Sequence, residues 1–284
     1  MQKLKYTFKT DILFKLLFTK HQHLLKKLVA NLLRIPLESI TQFGLKSTEA
    51  TPDILGSKFC VLDIHMIVNK QHVNLEVQVE NEGNFTERVM FHWARIYSNA
   101  LKSGGDYIDL PQVIIVSIVD FKLFNDCKEF HSEFQVLEVT RNIPLTYKQI
   151  YHFFELPKLP VKMNKDDLLL TWLALFNANT EEDLKMIENL GVTEINEAIT
   201  AYRSASVSDE LQEIERMREN ARLREALVVK NVKKRVEKAE RERWKSVVAD
   251  KDAALADKDA TLADKELEIE QLRKKLTELQ DKSE

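Results

Sequence analysis

The chain has 284 residues, of which 44% are hydrophobic and 31% are charged, and its formal net charge is −3. This length suits one medium-sized globular domain with a charged extension, or two small domains, and the net charge neither favours nor excludes a nucleic-acid partner. Two cysteines, Cys60 and Cys127, are too few for a disulfide framework. No apolar run reaches the roughly 20 residues that span a bilayer, so we expect a cytoplasmic protein without a membrane segment.

Helical and strand-like segments alternate along the N-terminal half. Leu, Ile and Phe recur at helical spacing over residues 10–34, which predicts one helix there. Residues 61–79 alternate as a β-hairpin, and residues 84–102 return to helical spacing. The β-branched stretch VIIVSIV is typical of a buried strand, and FHSEFQVLEV predicts a further strand. Residues 165–202 are predicted to form a helical bundle.

The C-terminal segment has the composition of a long helix. From residue 209 onward it contains neither glycine nor proline and is rich in Glu, Lys, Arg, Leu and Ala. Three repeats, ADKDAAL, ADKDATL and ADKELEI, have a period of seven and place apolar residues in register at Leu255, Leu262, Ile269 and Leu276. This pattern predicts a coiled coil that associates copies of the chain, and a solvated single helix is the alternative.

Charge is unevenly distributed along this segment. Residues 216–245 contain twelve Lys or Arg against five Glu, an excess of seven positive charges. Residues 250–284 contain seven basic against eleven acidic residues. The basic half is able to lie along a phosphate backbone, although an ordinary solvated helix face has the same composition.

The hairpin carries acidic and amide side chains in its most β-like part. If the chain turns at Asn69 and Lys70, residues whose numbers sum to 139 face one another, so Asp63 lies opposite Glu76. Their Cβ atoms are then about 5 Å apart, and Gln78 shares their face. The opposite face is apolar and is predicted to be buried: Leu62, Ile64, Met66 and Val68 against Leu75, Val77 and Val79.

Two carboxylates placed opposite each other repel unless a cation lies between them. Hard oxygen ligands select Mg²⁺ or another divalent cation, which takes one or two carboxylates and completes its shell with water or phosphate oxygens. Asp63 and Glu76 are therefore candidate metal ligands, and Gln78 is placed to orient an attacking water or to hydrogen-bond a phosphate. The alternative is a solvated strand face, on which acidic residues need no function.

Further candidates flank the hairpin. Arg88, in the following helix, is able to grip a phosphate in a bidentate manner, or to form a salt bridge with a nearby glutamate. His65 shares the face of Asp63 and is either close to the metal or an ordinary strand histidine. The dipeptide Pro52-Asp53 precedes the hairpin and is predicted to be a turn.

The order of these segments resembles the PD-(D/E)XK nuclease superfamily. Within it, DILFKLLF, LDIHMIV, NLEVQV, ERVMFHWARIYSNAL, GGDYIDLPQVIIVSI and FFELPKL resemble the nuclease family transposases, the Rpn-like recombination-promoting nucleases. The resemblance covers roughly residues 6–160. It implies an α/β restriction-endonuclease-like core, with a mixed four-stranded sheet flanked by helices, and Mg²⁺-dependent cleavage of DNA without marked sequence specificity.

The resemblance also assigns residue roles. It implies that Asp63 and Glu76 bind the metal and that Gln78 stands where the superfamily has its lysine. Asp11 corresponds to the acidic residue of the first helix, although an aspartate at a helix start also stabilises the helix dipole without any catalytic role. The catalytic residues would thus be Asp63, Glu76, Gln78 and Asp11, and Arg88 would bind DNA phosphate.

The resulting prediction is a metal-dependent DNA endonuclease of the recombination-promoting, transposase-like type. Its expected organisation is a nuclease-like domain over residues 1–162, a helical subdomain over residues 163–208 and a charged helix or coiled coil over residues 209–284. The alternative is a catalytically inactive nuclease fold that acts as a DNA-binding or coiled-coil interaction module. An RNA-directed phosphodiesterase is a third reading. The expected partners are DNA and a second copy of the chain.

Overall fold

A computed structural model describes residues 2–46, 49–50, 60–61, 63–101, 103–161 and 164–280. The α-helices are α1 (Asp11–Lys20), α2 (Gln22–Leu32), α3 (Phe85–Ala100), α4 (Leu168–Asn177), α5 (Glu181–Glu188), α6 (Thr193–Ser206) and α7 (Asp209–Gln280). The strands are β1 (Phe43–Leu45), β2 (Glu49–Ala50), β3 (Cys60–Val61), β4 (Ile64–Val68), β5 (Gln71–Gln78), β6 (Val113–Val119), β7 (His131–Gln135) and β8 (Gln149–Glu155).

Six of these strands form one mixed sheet in the order β1-β4-β5-β6-β8-β7. The neighbours β5, β6 and β8 run parallel, whereas the β1–β4, β4–β5 and β7–β8 pairs are antiparallel. The predicted mixed sheet is confirmed, but its predicted size of four strands is wrong. The short strands β1 and β7 cover β4 and β8, whose backbone groups would otherwise form unpaired edges.

The predicted hairpin register is confirmed. β4 and β5 pair with Ile64 opposite Leu75, so partner numbers sum to 139. Asn69 and Lys70 form the turn with positive φ angles of 49° and 69°. Such angles match the right-handed twist of the two strands and favour asparagine at the first position.

The apolar face of the hairpin is buried as predicted at the positions that the structure describes: Ile64, Met66, Val68, Leu75 and Val77. Val79 differs from the prediction, because it is 48% exposed and lies just beyond the end of β5. Leu62, which was also placed on this face, lies outside the described residues.

The first predicted helix is two helices. Residues 10–34 contain α1 and α2, which meet at His21, where φ is −107° and ψ is 63°. The backbone N–H of His21 donates to the carbonyl of Leu17, and its own carbonyl accepts from the N–H groups of Leu24 and Leu25. This single residue therefore caps one helix and opens the next, although the sequence has no glycine or proline there.

The sheet lies between two layers of helices. One face packs against α1, α2 and the α4–α6 bundle around a large core that includes Phe8, Phe14, Phe18, Trp172 and Phe176. The other face is covered by α3, through Phe85, Val89 and Ile96 against residues of β6 and β8. Every residue of β6 is buried, as its apolar sequence predicted.

The chain divides into two compact units, Met1–Glu215 and Arg216–Glu284. The second unit contains α7 from Arg216 onward, and the predicted long helix is therefore confirmed. The finer division at residues 162 and 208 stays a prediction. Among the described residues, no helix combines the length and apolar character needed to cross a membrane.

Candidate functional site

The Glu76 carboxylate is enclosed between the sheet and α3. Glu76 is 4% exposed, and its register partner on β6 is the buried Ser117. Its Oε1 accepts a hydrogen bond of 2.7 Å from Nδ2 of Asn74, two residues earlier on the same face of β5. The same oxygen also contacts Nδ1 of His92, which comes from α3. Since two buried donors hold one carboxylate oxygen, the orientation of Glu76 is fixed, and a solvated strand face is excluded at this position.

Asp63 lies one residue before β4, where continuation of the ladder places it next to Glu76. Its Oδ2 accepts a hydrogen bond of 3.0 Å from the backbone N–H of Val77. Its Oδ1 lies 3.2 Å from the ammonium nitrogen of Lys15, which lies 2.8 Å from Oδ1 of Asp11. Asp11 and Lys15 are one turn apart on α1, so they share a face of that helix.

The charges around Asp63 oppose one another. Burial raises the pKa of the Asp63 carboxyl above its ordinary value, and the negative charges of Glu76 and Asp11 add to the rise, while Lys15 and the Val77 N–H act against it. Burial alone would lower the pKa of the Lys15 ammonium, but Asp63 and Asp11 outweigh that effect and raise it. The site therefore has an unfavourable excess of negative charge that one ammonium only partly offsets.

Gln78 and Arg88 form a second polar contact at the end of β5. The Nη2 group of Arg88 donates a hydrogen bond of 2.6 Å to Oε1 of Gln78, and Nε2 of Gln78 donates to the carbonyl of Glu80. Arg88 also lies 3.6 Å from Glu82 and has its guanidinium carbon 5.1 Å from the centre of the Phe85 ring. The predicted salt bridge with a nearby glutamate is thus present, and the binding of phosphate by Arg88 stays a prediction.

The donor set fits a divalent cation in part. Asp63 and Glu76 are hard oxygen donors, and the ammonium of Lys15 demonstrates that positive charge is accommodated beside Asp63. In the described part of the chain, no three His, Cys, Asp or Glu side chains are grouped so as to hold a metal. A cation here would take one or two carboxylates and complete its shell with water or phosphate oxygens, as Mg²⁺ commonly does.

The structure brings the predicted residues together in two groups. Asp11 and Asp63 meet at Lys15, and Glu76 adjoins Asp63, whereas Gln78 contacts Arg88. Other candidates have different surroundings. Nε2 of His65 lies 3.0 Å from Nδ1 of His72. The Pro52-Asp53 dipeptide lies outside the described residues.

Three residues of the site were not predicted. Lys15 follows Asp11 by four positions, a spacing that places both on one helix face and that could have identified the pair. Asn74 precedes Glu76 by two, so strand alternation alone places it on the same face. His92 gave no local signal, because only the packing of α3 on the sheet brings its ring to Glu76.

A mixed sheet between helical layers, with carboxylates from a hairpin and from the first helix meeting near one end of the hairpin, defines an α/β protein with an acidic site at its sheet. The sequence model of the PD-(D/E)XK nuclease family transposases matches residues 8–232, and the chain belongs to this family. The family indicates a nuclease or transposase-like function, and its class of nucleases generally uses divalent cations. Comparison with curated proteins and with solved structures gave no significant match.

Proposed function

We propose that this protein is a Mg²⁺-dependent endonuclease that hydrolyses phosphodiester bonds of DNA, with Asp63 and Glu76 as the metal ligands. The observation that supports the proposal most strongly is the enclosed Glu76, held by His92 and Asn74 next to Asp63, in a chain of a nuclease family. A carboxylate buried in this way is costly unless it has a partner, and fixed orientation is what a metal ligand requires.

The chain's own residues would divide the work as follows. Asp63 and Glu76 would hold the cation, and the N–H of Val77 restricts rotation of the Asp63 carboxylate. A divalent cation held there would supply Lewis acidity at a phosphoryl oxygen and would lower the pKa of water. Asp11 adds negative charge to the same site and shares Lys15 with Asp63.

Gln78 and Arg88 would bind and orient the substrate. A neutral amide is unable to act as a general base, but it can hydrogen-bond an attacking water or a phosphate oxygen. The guanidinium of Arg88 is held by Gln78 and by the Phe85 ring, so less conformational freedom is lost when it binds a phosphate.

Helix α7 carries the residues that we propose to contact DNA and a second copy of the chain. Its basic part, residues 216–245, would lie along DNA, and its heptad leucines, which are more than half exposed at Leu255 and Leu262, would pair with a second copy of the chain. Two copies would provide the two active sites that a double-strand break needs. A cytoplasmic location, predicted from the sequence, belongs to this proposal.

The test is cleavage of supercoiled plasmid by the full-length protein with Mg²⁺ and with EDTA. We expect nicked or linear DNA only with the metal, and a loss of at least about a hundredfold in rate for Asp63→Asn and Glu76→Gln, since each removes a ligand charge. Glu38→Gln, which removes an exposed carboxylate outside the site, is the matched control and should cleave like wild type.

Two results would favour the alternatives. A folded protein that binds plasmid but cleaves nothing under Mg²⁺, Mn²⁺ or Co²⁺ would indicate an inactive DNA-binding or coiled-coil module. Faster cleavage of single-stranded RNA than of any DNA in a substrate panel would indicate an RNA-directed phosphodiesterase. Either result would overturn the proposed activity, and loss of cleavage in Glu38→Gln would overturn the proposed location.

A further inference from the structure

Lys15 is a cation directed into a group of carboxylates. Its side chain is 24% exposed, and its ammonium lies 2.8 Å from Asp11 and 3.2 Å from Asp63. The flanking residues Phe14, Leu16 and Leu17 are buried in the core, so α1 holds Lys15 at a fixed place. An ammonium that is mostly buried loses hydration, and the two ion pairs must offset that loss.

The Lys15 ammonium contacts a carboxylate oxygen of Asp63 that a metal would need as a ligand. Oδ2 of Asp63 is engaged by the Val77 N–H, and Oδ1 is the atom close to Lys15. The proposed ligand Asp63 is therefore engaged at both oxygens, by an amide at one and by a cation at the other. A divalent ion that binds Asp63 must displace this cation or approach it closely.

We propose that Lys15 is a positioning residue that holds Asp63 in the metal-free protein and competes with a divalent cation for that carboxylate. This inference rests on the proposed function, because it takes Asp63 as a metal ligand. In the metal-free state the ammonium offsets repulsion among Asp11, Asp63 and Glu76. On metal binding the ammonium is displaced from Asp63 or repelled by the ion, and Asp11 is the partner that retains it.

The competition has a definite sign. Loss of the Lys15 charge should weaken the metal-free fold, because the charges of Glu76 and Asp11 then act on Asp63 with less compensation. The same loss should tighten metal binding, because the ion no longer displaces or repels an ammonium. An opposite charge next to a carboxylate changes its proton affinity by roughly 10-fold to 1000-fold. A divalent cation competes with the same charge, so we expect a dissociation constant for the metal that is at least about tenfold lower. An ordinary structural salt bridge would change stability and metal affinity in the same direction.

The experiment uses the full-length protein, four lysine variants and Asp63→Asn. Calorimetric titration measures binding of Mg²⁺ and Ca²⁺, and thermal unfolding in EDTA measures the metal-free fold. Lys15→Met removes the charge, Lys15→Gln removes it but keeps hydrogen bonding to the carboxylates, and Lys15→Arg keeps it. Lys20→Met is the matched control, since Lys20 lies on the same helix but pairs with the exposed Glu210.

For Lys15→Met we expect tighter metal binding and a lower melting temperature than for wild type, and for Lys15→Gln changes in the same directions. Lys15→Arg and Lys20→Met should have a metal affinity and a melting temperature close to those of wild type. Lys15→Gln decides the question if Lys15→Met does not fold. Unchanged or weaker metal binding in the neutral variants overturns the inference. If Lys15→Met and Lys15→Gln bind the metal and wild type does not, the result supports competition between Lys15 and the metal for Asp63.

The proposed function can fail separately. If wild type binds the metal and Asp63→Asn does not, the metal site stands, and the Lys15 variants alone decide the inference. If neither wild type nor the neutral variants bind either metal, the metal site and the inference are both overturned. If Asp63→Asn binds as tightly as wild type, Asp63 is not a ligand and the inference is overturned with it.

Discussion

The substitution His92→Leu removes one of the two described donors that hold the buried Glu76 carboxylate. Glu76 is 4% exposed and His92 is 9% exposed, so water does not readily replace the lost donor. A hydrogen bond to a charged group contributes about 1.5–3 kcal/mol, and the Asn74 contact remains. We therefore expect a loss of about 2 kcal/mol in the free energy of unfolding, which for a unit of this size lowers the melting temperature by roughly 4–8 °C.

The measurement is chemical denaturation of wild type, His92→Leu, Glu76→Leu and the double variant. If the His92→Leu loss comes from an uncompensated carboxylate, removing the carboxylate as well should recover part of it. The double variant should then lose at least about 1 kcal/mol less than the sum of the two single losses in free energy of unfolding. His23→Leu is the matched control, because His23 also pairs with a glutamate, Glu197, but its side chain is 53% exposed. That control should change stability by no more than about 0.5 kcal/mol. Additive losses, or equal losses at His92 and His23, would refute the reasoning.

Three further predictions concern other parts of the chain. Burial lowers the pKa of His152 from 6.5 to about 4, so the unfolded chain binds the extra proton first and stability falls as the pH drops through that interval. His152→Phe should reduce this loss of stability between pH 7 and pH 4 by at most about 3 kcal/mol. Denaturation at several pH values in that range measures the loss, and an unchanged loss would contradict the prediction. Lys158→Met should lower the free energy of unfolding by about 3 kcal/mol, because it leaves the fully buried Glu155 without its ammonium partner. Arg141→Met, which breaks an exposed pair, should have little effect. Similar losses in the two variants would argue against this account. If the heptad leucines of α7 pair two copies of the chain, Leu262→Asp should abolish concentration-dependent association of the protein in sedimentation. Unaltered association would exclude pairing through these leucines.

The hairpin illustrates what local sequence determines. A two-residue turn and a period of two leave one consistent register, so the apposition of Asp63 and Glu76 followed from the numbers alone. The same reasoning correctly identified β6, because a strand buried on both faces needs a continuous apolar run. The family resemblance, carried by short segments along the first half of the chain, was also confirmed.

Tertiary packing determined the rest. The break at His21 has no glycine or proline to announce it, and its backbone conformation is set by how α1 and α2 each pack on the core. Lys15 and His92 reach the carboxylates from opposite helical layers, and no local period specifies how a helix is rotated on a sheet. The edge strand β1 was missed because three residues give too short a pattern to recognise.

The burial of Glu76 beneath α3 has a consequence for biosynthesis. The residues around the site come from α1, from the hairpin and from α3, with 81 positions separating Asp11 from His92. A chain in which only the hairpin has formed has both carboxylates, but Lys15 and His92 are not yet packed against them. The arrangement around Asp63 and Glu76 would thus be complete only after both helical layers have closed on the sheet.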